Sequence, residues 1–199
     1  KKILITGGAG FIGVHLARSL AESGYVVCLA DNLSRGVVDG DFENLLAKPE
    51  VTFSVVDVLD QNAVLALGSD FYAIFHLAAI IGVTHVLERP YEVLIENTCM
   101  LENVIKLARQ QHSLSRLLFA STSEVYAGTL KHFDLPVPTP EESTLAVSQL
   151  SESRTSYMLS KICGEALCQH AGIPFTIFRP HNLYGPRMGM AHVIPEQLK

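Results

Sequence analysis

The sequence lacks most of what would mark a chain for nucleic acid, for a membrane or for an oxidising compartment. It has no run of Lys or Arg, and its net charge of −5 is mixed in sign along the chain. Neither a nucleic-acid surface nor a basic membrane patch is indicated, and small-molecule partners fit better. The longest apolar run, Phe71 to Val83, is interrupted by His76 and is too short to span a bilayer. No charged-then-apolar signal segment opens the chain, so a cytoplasmic protein is expected. There are only four cysteines, Cys28, Cys99, Cys163 and Cys168, with no CxxC and no companion His at ligand spacing. They are expected to be buried thiols, with no metal site and no disulfide framework. Repeats and low-complexity tracts are also missing. What the chain does have is apolar bulk: 48% of its 199 residues are hydrophobic, enough to bury the core of one domain.

The stretch Thr6-Gly7-Gly8-Ala9-Gly10-Phe11-Ile12-Gly13 follows the apolar run Ile3 to Ile5 and precedes a helical pattern from His15 to Ser23. A strand therefore turns through glycines into a helix. The glycines permit a tight turn and close approach to a ligand, and the helix N-terminus offers unpaired N–H groups to a pyrophosphate. Two registers are open: Gly8, Gly10 and Gly13 fit G-x-G-x-x-G, whereas Gly7, Gly10 and Gly13 fit G-x-x-G-x-x-G. Asp31 ends the next strand about 20 residues on, where a carboxylate can accept both ribose hydroxyls of an adenosine and repel a 2′-phosphate. NAD is thus favoured over NADP, although Arg35 close by could pair with a 2′-phosphate.

Further strands are expected over Tyr25 to Ala30, Val51 to Val56, Ala73 to Phe75, Arg116 to Ala120 and Pro174 to Phe178, with Gly24 at the C-cap of the first helix. Helices are expected around Phe42 to Leu46 and over Gln61 to Leu67, Tyr91 to Gln111 and Thr155 to Ala171. Strands alternating with helices, with little polar alternation in the strands, imply an α/β fold with a doubly wound parallel sheet covered on both faces. Asp57, beside Val58, is placed either to accept from an adenine amino group or to cap the following helix. Leu77, Ala78 and Ala79 would let the backbone lie along a dinucleotide. His76 alone reads as a satisfied buried histidine as readily as a catalytic one. Residues 127–152 form a loop too long for an idle connection, and a lid or substrate loop is expected there.

Tyr157 and Lys161 stand four apart on one helix and so share a face. A phenol with a pKa near about 10 is a poor base, but an adjacent ammonium and a positive nicotinamide ring both favour the phenolate. Such a tyrosinate could take the proton from a sugar hydroxyl while hydride leaves for the cofactor.

With that pair the chain resembles an extended short-chain dehydrogenase/reductase of the NAD-dependent sugar-nucleotide epimerase/dehydratase family. The resemblance rests on Thr6 to Gly13, Asp31-Asn32, Asp57-Val58, His76 to Ala79, Ser121-Thr122-Ser123-Glu124-Val125-Tyr126, Tyr157 to Lys161, and Arg179 to Arg187. It selects the register of Gly7, Gly10 and Gly13. It implies a Rossmann-like NAD-binding domain over residues 1–199, with the substrate-binding part beginning in 180–199 and the family's smaller C-terminal substrate domain largely absent from this chain. The family's members normally run on by about a hundred residues or more, so continuation beyond Lys199 is expected.

The resemblance also implies roles. The cofactor would be held by Gly7, Gly10, Phe11, Ile12, Gly13, Asp31, Asn32, Asp57, Val58, Leu77, Ala78, Ala79, Tyr157 and Lys161. Catalysis would fall to Thr122, Tyr157, Lys161 and Glu124, and substrate contacts to Thr122, Ser123, Asn182 and Arg187, with Tyr184 to Arg187 where nicotinamide and substrate meet. Asn97 stands where the family commonly has Asn, with its role left open. Ser123 replaces the acid of the 4,6-dehydratases, which disfavours dehydration, while Thr-Ser-Glu-Val-Tyr also resembles the nucleotide-sugar decarboxylases. Ala127 in place of a glycine, and Met158 beside the base, depart from the usual pattern. The expectation is an NAD-dependent nucleotide-sugar epimerase working through a 4-keto sugar, with decarboxylase or dehydratase as alternatives and a non-catalytic NAD-binding regulator as the rival class. A homodimer through the helices Tyr91 to Gln111 and Thr155 to Ala171 is implied by resemblance alone.

Overall fold

In the computed structural model, which describes residues 1–189 and Gln197, the glycine stretch sits at the centre of a six-stranded parallel sheet of order β3-β2-β1-β4-β5-β6. The strands are β1 (Lys2–Thr6), β2 (Val26–Asp31), β3 (Val51–Val55), β4 (Phe71–His76), β5 (Arg116–Ala120) and β6 (Phe175–Phe178). The helices are α1 (Phe11–Glu22), α2 (Gly40–Leu46), α3 (Gln61–Leu65), α4 (Val83–Glu88), α5 (Pro90–Arg109), α6 (Ala127–His132) and α7 (Ser153–His170), with a 3-10 turn over Ser123–Tyr126. The chain winds outward from β1 to β3, then crosses back to place β4 on the other side of β1. Loops after β1 and β4 therefore part in opposite directions, opening the crevice where doubly wound sheets bind ligands. Residues 190–196, 198 and 199 of the expected substrate-binding start lie outside the described residues.

The uninterrupted apolar character of the inner strands follows from burial on both faces. Ile3, Ile5, Val27 and Leu29 pack with Val14, Ala17 and Phe42 from α1 and α2. Leu4, Ile74, Leu117 and Phe119 turn the other way, onto Leu101, Val104 and Leu107 of α5 and Cys168 of α7. A fully buried side chain of this size contributes about 2 kcal/mol. The edges differ from the expectation of two covered faces. Thr52, Ser54 and Val55 of β3 are exposed, and every residue of β6 is only partly covered.

Three local features depart from the expected elements. The residues at the end of the glycine stretch are already helical, so α1 starts at Phe11. α4 is an unexpected helix, and α6 occupies the first quarter of the long loop. Gly128 makes α6 possible: a Cβ there would lie 1.9 Å from the Ala146 carbonyl oxygen, so the helix rests directly on the returning chain. Thr129 completes that contact, donating to the Thr144 carbonyl at 2.6 Å and accepting from Ala146 N–H at 3.0 Å. The cysteines also depart from expectation. All four are free, but only Cys168 is buried; Cys28 and Cys99 are partly covered and Cys163 is exposed.

Candidate active site

The glycine loop is held from below by both neighbouring strands. Gly7 and Gly8 N–H donate to the Ala30 carbonyl at 2.8 and 3.2 Å, and Leu77 N–H donates to Thr6 at 3.1 Å. Gly7 has φ +72, and a Cβ on it would stand 2.8 Å from Ala78 N, so the loop lies hard against the chain leaving β4. At Gly13 a Cβ would come within 2.3 Å of the Gly7 carbonyl oxygen, so the smallest residue is what lets α1 close onto the loop. Gly8 is constrained for a different reason, since its Cβ would strike Leu29 at 2.7 Å. Gly10, the α1 N-cap, is open beyond the Gly7 oxygen, and no side chain caps or charges the first turn. The first-turn N–H groups of Phe11 and Ile12 lack a side-chain cap at the positive end of the helix dipole, an arrangement that suits a pyrophosphate.

Asp31 is buried and braces the loop. Its carboxylate accepts from Ala9 N–H at 3.1 Å and from Leu33 N–H at 2.8 Å, which leaves further lone pairs for ribose hydroxyls. Leu33 itself takes φ +60, a strained conformation beside the candidate ribose site. Asn32 accepts from Ser34 N–H at 3.0 Å. Of the two roles left open for Asp57, the helix cap falls elsewhere. Asp57 accepts from Leu59 N–H at 2.9 Å in a tight turn, while Asp60 caps α3 through Asn62 and Ala63 N–H. Val58 is buried, and its carbonyl and that of Leu59 are held by Asn103 of α5 at 3.0 and 3.1 Å.

Asn97, also on α5, makes the corresponding clamp on the loop after β4. It accepts from Ile80 N–H at 2.7 Å, donates to the Ile80 carbonyl at 3.1 Å and reaches Ser160 at 3.3 Å. It therefore fixes the segment that follows Leu77, Ala78 and Ala79. His76 is a satisfied core residue: it pairs with Thr6 at 2.8 Å, stacks on Phe119, and burial pushes its pKa down to about 3.

Thr122, Glu124, Tyr157 and Lys161 meet where β5 ends. Thr122 is buried and caps the 3-10 turn by accepting from Glu124 N–H at 3.3 Å. Lys161 is buried on α7, donates to the Ala120 carbonyl at 2.9 Å, and holds its ammonium 5.6 Å from the Tyr157 ring centre. Burial lowers its pKa to about 8. The Tyr157 hydroxyl moves opposite to the expected direction. Burial pushes it up to about 12 and the Glu124 carboxylate adds to the rise, while Thr122 and Arg35 pull down. Lys161 alone does not make a phenolate in this setting. Glu124 is itself raised by partial burial, opposed by Arg154. Arg154 has no ion-pair partner among the described residues, and residue reasoning had passed over it.

One expected substrate contact, Arg187, is placed on the glycine loop and not in this cluster. Arg187 pairs with Asp39 and donates to the Ala9 and Val37 carbonyls at 3.3 and 3.1 Å, which puts it on the glycine loop. Tyr184, Gly185 and Pro186 line a groove of about 310 Å³ with Phe11 and His15 on the outer side of α1. Asn182 is exposed, and Ser123 is tied to the Pro180 carbonyl at 3.0 Å. A buried charge network went unnoticed in the sequence. Arg179 grips both oxygens of Glu165 at 2.9 and 2.7 Å and also bonds Tyr126. Its one local signal is that Glu165 continues the Tyr157, Lys161 spacing. Among the described residues no group of His, Cys, Asp and Glu could hold a metal, and no helix is long and apolar enough to cross a membrane.

A doubly wound sheet with a glycine loop at its switch point defines a Rossmann-like dinucleotide-binding fold, and the tyrosine–lysine pair stands beside the same crevice. The chain belongs to the NAD dependent epimerase/dehydratase family, whose model matches residues 3–199. Its cofactor is accordingly NAD. It is 37% identical over 191 residues to UDP-N-acetyl-alpha-D-glucosaminuronate decarboxylase of Bacillus cytotoxicus, covering 94% of this chain and 56% of that protein. A crystal structure of UDP-galactose 4-epimerase superposes with TM-score 0.80 at 31% identity, covering 100% of this chain and 61% of that one. A variant UDP-glucuronic acid 4-epimerase from Bacillus cereus, in complex with UDP-4-deoxy-4-fluoro-glucuronic acid and NAD, gives TM-score 0.81 at 26% identity, covering 98% and 61%. The chain thus spans little more than half the length of these proteins.

Proposed function

We propose that the protein oxidises a hydroxyl of a nucleotide sugar to a 4-keto intermediate, with Tyr157 as base, and that epimerisation follows. The convergence of Thr122, Tyr157 and Lys161 at the end of β5, beside the glycine-loop crevice, carries this reading. NAD, when bound, takes up hydride and later returns it, so the cycle is redox-neutral. The Gly7–Gly13 loop and the α1 N-terminus would hold its pyrophosphate, Asp31 its adenosine ribose, and Asp57 and Val58 its adenine, while Leu77 to Ala79 would flank its path. Lys161 supplies positive charge beside the base, Thr122 hydrogen-bonds the reacting hydroxyl, and Tyr157 accepts its proton and gives it back on reduction. Reduction of the 4-keto sugar from its other face would invert the carbon. Residues 127–152 act as the substrate loop, and the protein works as a homodimer.

Decarboxylation is the second reading, favoured by Glu124 and Arg154. A cation close to Glu124 and free of any ion pair among the described residues suits a sugar that carries a carboxylate, and a carboxyl with a raised pKa can protonate the carbon left when CO₂ departs from a 4-keto acid. Both readings share the first oxidation. Incubating the complete protein with UDP-, dTDP-, GDP- and CDP-sugars, neutral and acidic, and following products by NMR separates them. Tyr157→Phe should lower turnover by about 10²- to 10⁴-fold while retaining NAD. If no nucleotide sugar is altered and the variant behaves as wild type, the proposal is dead and an NAD-binding regulator stands instead.

A further inference from the structure

The ion pair of Glu165 and Arg179 lies outside the proposed proton chemistry, yet it reaches the end of β5, the 3-10 turn and the long loop. Tyr157, Lys161 and Glu165 recur at intervals of four on α7, so one helix face meets the end of β5. There, three consecutive residues are each pinned. Lys161 donates to the Ala120 carbonyl at 2.9 Å, the Ser121 hydroxyl donates to Glu165 at 2.5 Å, and Thr122 follows as the cap of the 3-10 turn. On its other side, Glu165 is gripped in bidentate fashion by Arg179, which also donates to the Tyr126 hydroxyl at the end of that turn and to the Glu141 carbonyl at 2.9 Å, inside the long loop. Glu165 and Ser121 are almost wholly buried. Charge-assisted, bidentate bonds of this kind fix direction as well as distance. Apolar residues could fill the same space, but they would leave Ser121 free to rotate and the loop unattached.

Building on the oxidation reading, we infer that Ser121, Glu165 and Arg179 are positioning residues that hold Thr122 in line with Tyr157 and couple the 127–152 loop to the catalytic helix. Ser121→Ala cuts the link to β5 while the ion pair and its Tyr126 and Glu141 contacts stay. In the complete protein it should slow the first appearance of NADH on mixing with the active nucleotide sugar by about tenfold, the scale of a small misplacement near the reacting atoms. NAD and nucleotide-sugar affinities should stay at wild-type values, and Ser121→Thr, which restores the hydroxyl, should recover the rate. Tyr126→Phe, which spares both Glu165 and Ser121, should instead raise the nucleotide-sugar KM with kcat kept. A Ser121→Ala protein as fast as wild type, or one whose rate falls only in step with lost NAD binding, overturns the positioning role, as does an unchanged KM in Tyr126→Phe for the loop coupling. A wild type that reduces NAD with no nucleotide sugar overturns the oxidation reading and this inference together, an outcome distinct from a working wild type beside an unaffected variant.

Discussion

At neutral pH Tyr157 stands as a phenol and Lys161 as an ammonium, because burial raises the first to about 12 and lowers the second to about 8. Between pH 8 and 10.5 the unfolded chain keeps a proton on Lys161 that the folded chain has lost, so the stability this group withholds at neutral pH returns as pH rises through that window. The amount is about 3 kcal/mol. Tyr157 has the opposite sign above pH 10, where the folded state retains the proton longer. If Tyr157 is the base, as proposed, its phenol is protonated in the protein alone, and the positive ring of oxidised NAD would favour the phenolate. Ultraviolet difference titration should show one tyrosine ionising near pH 12 without cofactor, absent in Tyr157→Phe, and shifted down when NAD is bound. A titration unmoved by NAD would mean that the base is activated by some other group. His76 carries a separate signature. Its pKa is pushed down to about 3, so the unfolded state binds the extra proton first, and stability falls as pH drops below 6.5. His76→Asn, which keeps a polar partner for Thr6, should flatten the fall in urea midpoint between about pH 7 and 4; an equal slope in both proteins would remove His76 from acid unfolding.

Among the elements, the loop after β1 and helix α5 do most of the shaping of the crevice. Gly7→Ala would have to accept φ +72 and push a methyl into Ala78 N at 2.8 Å. A loss of about 2 kcal/mol in stability and weakened NAD binding are expected, measurable by thermal unfolding and by titration with NAD. Wild-type NAD affinity in Gly7→Ala would show that the register of Gly7, Gly10 and Gly13 is not the one that matters. α5 carries its two asparagines six residues apart, one clamping the loop after β4 and the other the loop after β3; if these loops hold NAD as proposed, Asn103→Ala should weaken NAD binding without touching the Thr122–Tyr157–Lys161 cluster. Unchanged NAD affinity in that variant would make Asn103 a packing residue only. The strand–loop–helix around Gly7 and the long helices α5 and α7 were legible because their signals are local: a glycine pattern and a 3.6-residue apolar period. α4 was not, since Val83–Glu88 is short and follows an apolar run without a capping side chain. α6 was hidden because Gly128 argues against a helix until Ala146, far along the chain, arrives on top of it. Asp57 and Asp60 are three residues apart, and only the backbone shows which one caps. The Glu165–Arg179 network and the Arg187–Asp39 pair join residues distant in sequence, so no local pattern announces them.

For the whole molecule, the homodimer of the proposed reading can be tested on the apolar residues that the fold leaves outside. On α5 the row Val93, Asn97, Leu101, Val104 and Ala108 faces inward, yet Tyr91 and Ile95 form a second row that stays exposed, Tyr91 at 74%. Val83 and Leu87 of the neighbouring α4 are exposed as well, and α7 packs alongside α5 with Cys163 exposed. In the proposed homodimer, a two-fold axis beside α5 would bring the outer row against its own copy. Pairing α5 and α7 of each protomer makes a four-helix contact of the kind that ridges and grooves accommodate. The complete protein should therefore sediment as a dimer. Ile95→Glu should shift it to monomer at low concentration, because a carboxylate placed at the centre of the row would lose its water without gaining a partner. NAD titration of the variant then tells whether the interface serves the site: the clamps of Asn97 and Asn103 lie on the inward face of the same helix, so monomerisation is expected to loosen both cofactor loops and weaken NAD binding. A monomeric wild type, or an Ile95→Glu protein that remains a dimer, removes this face from the interface.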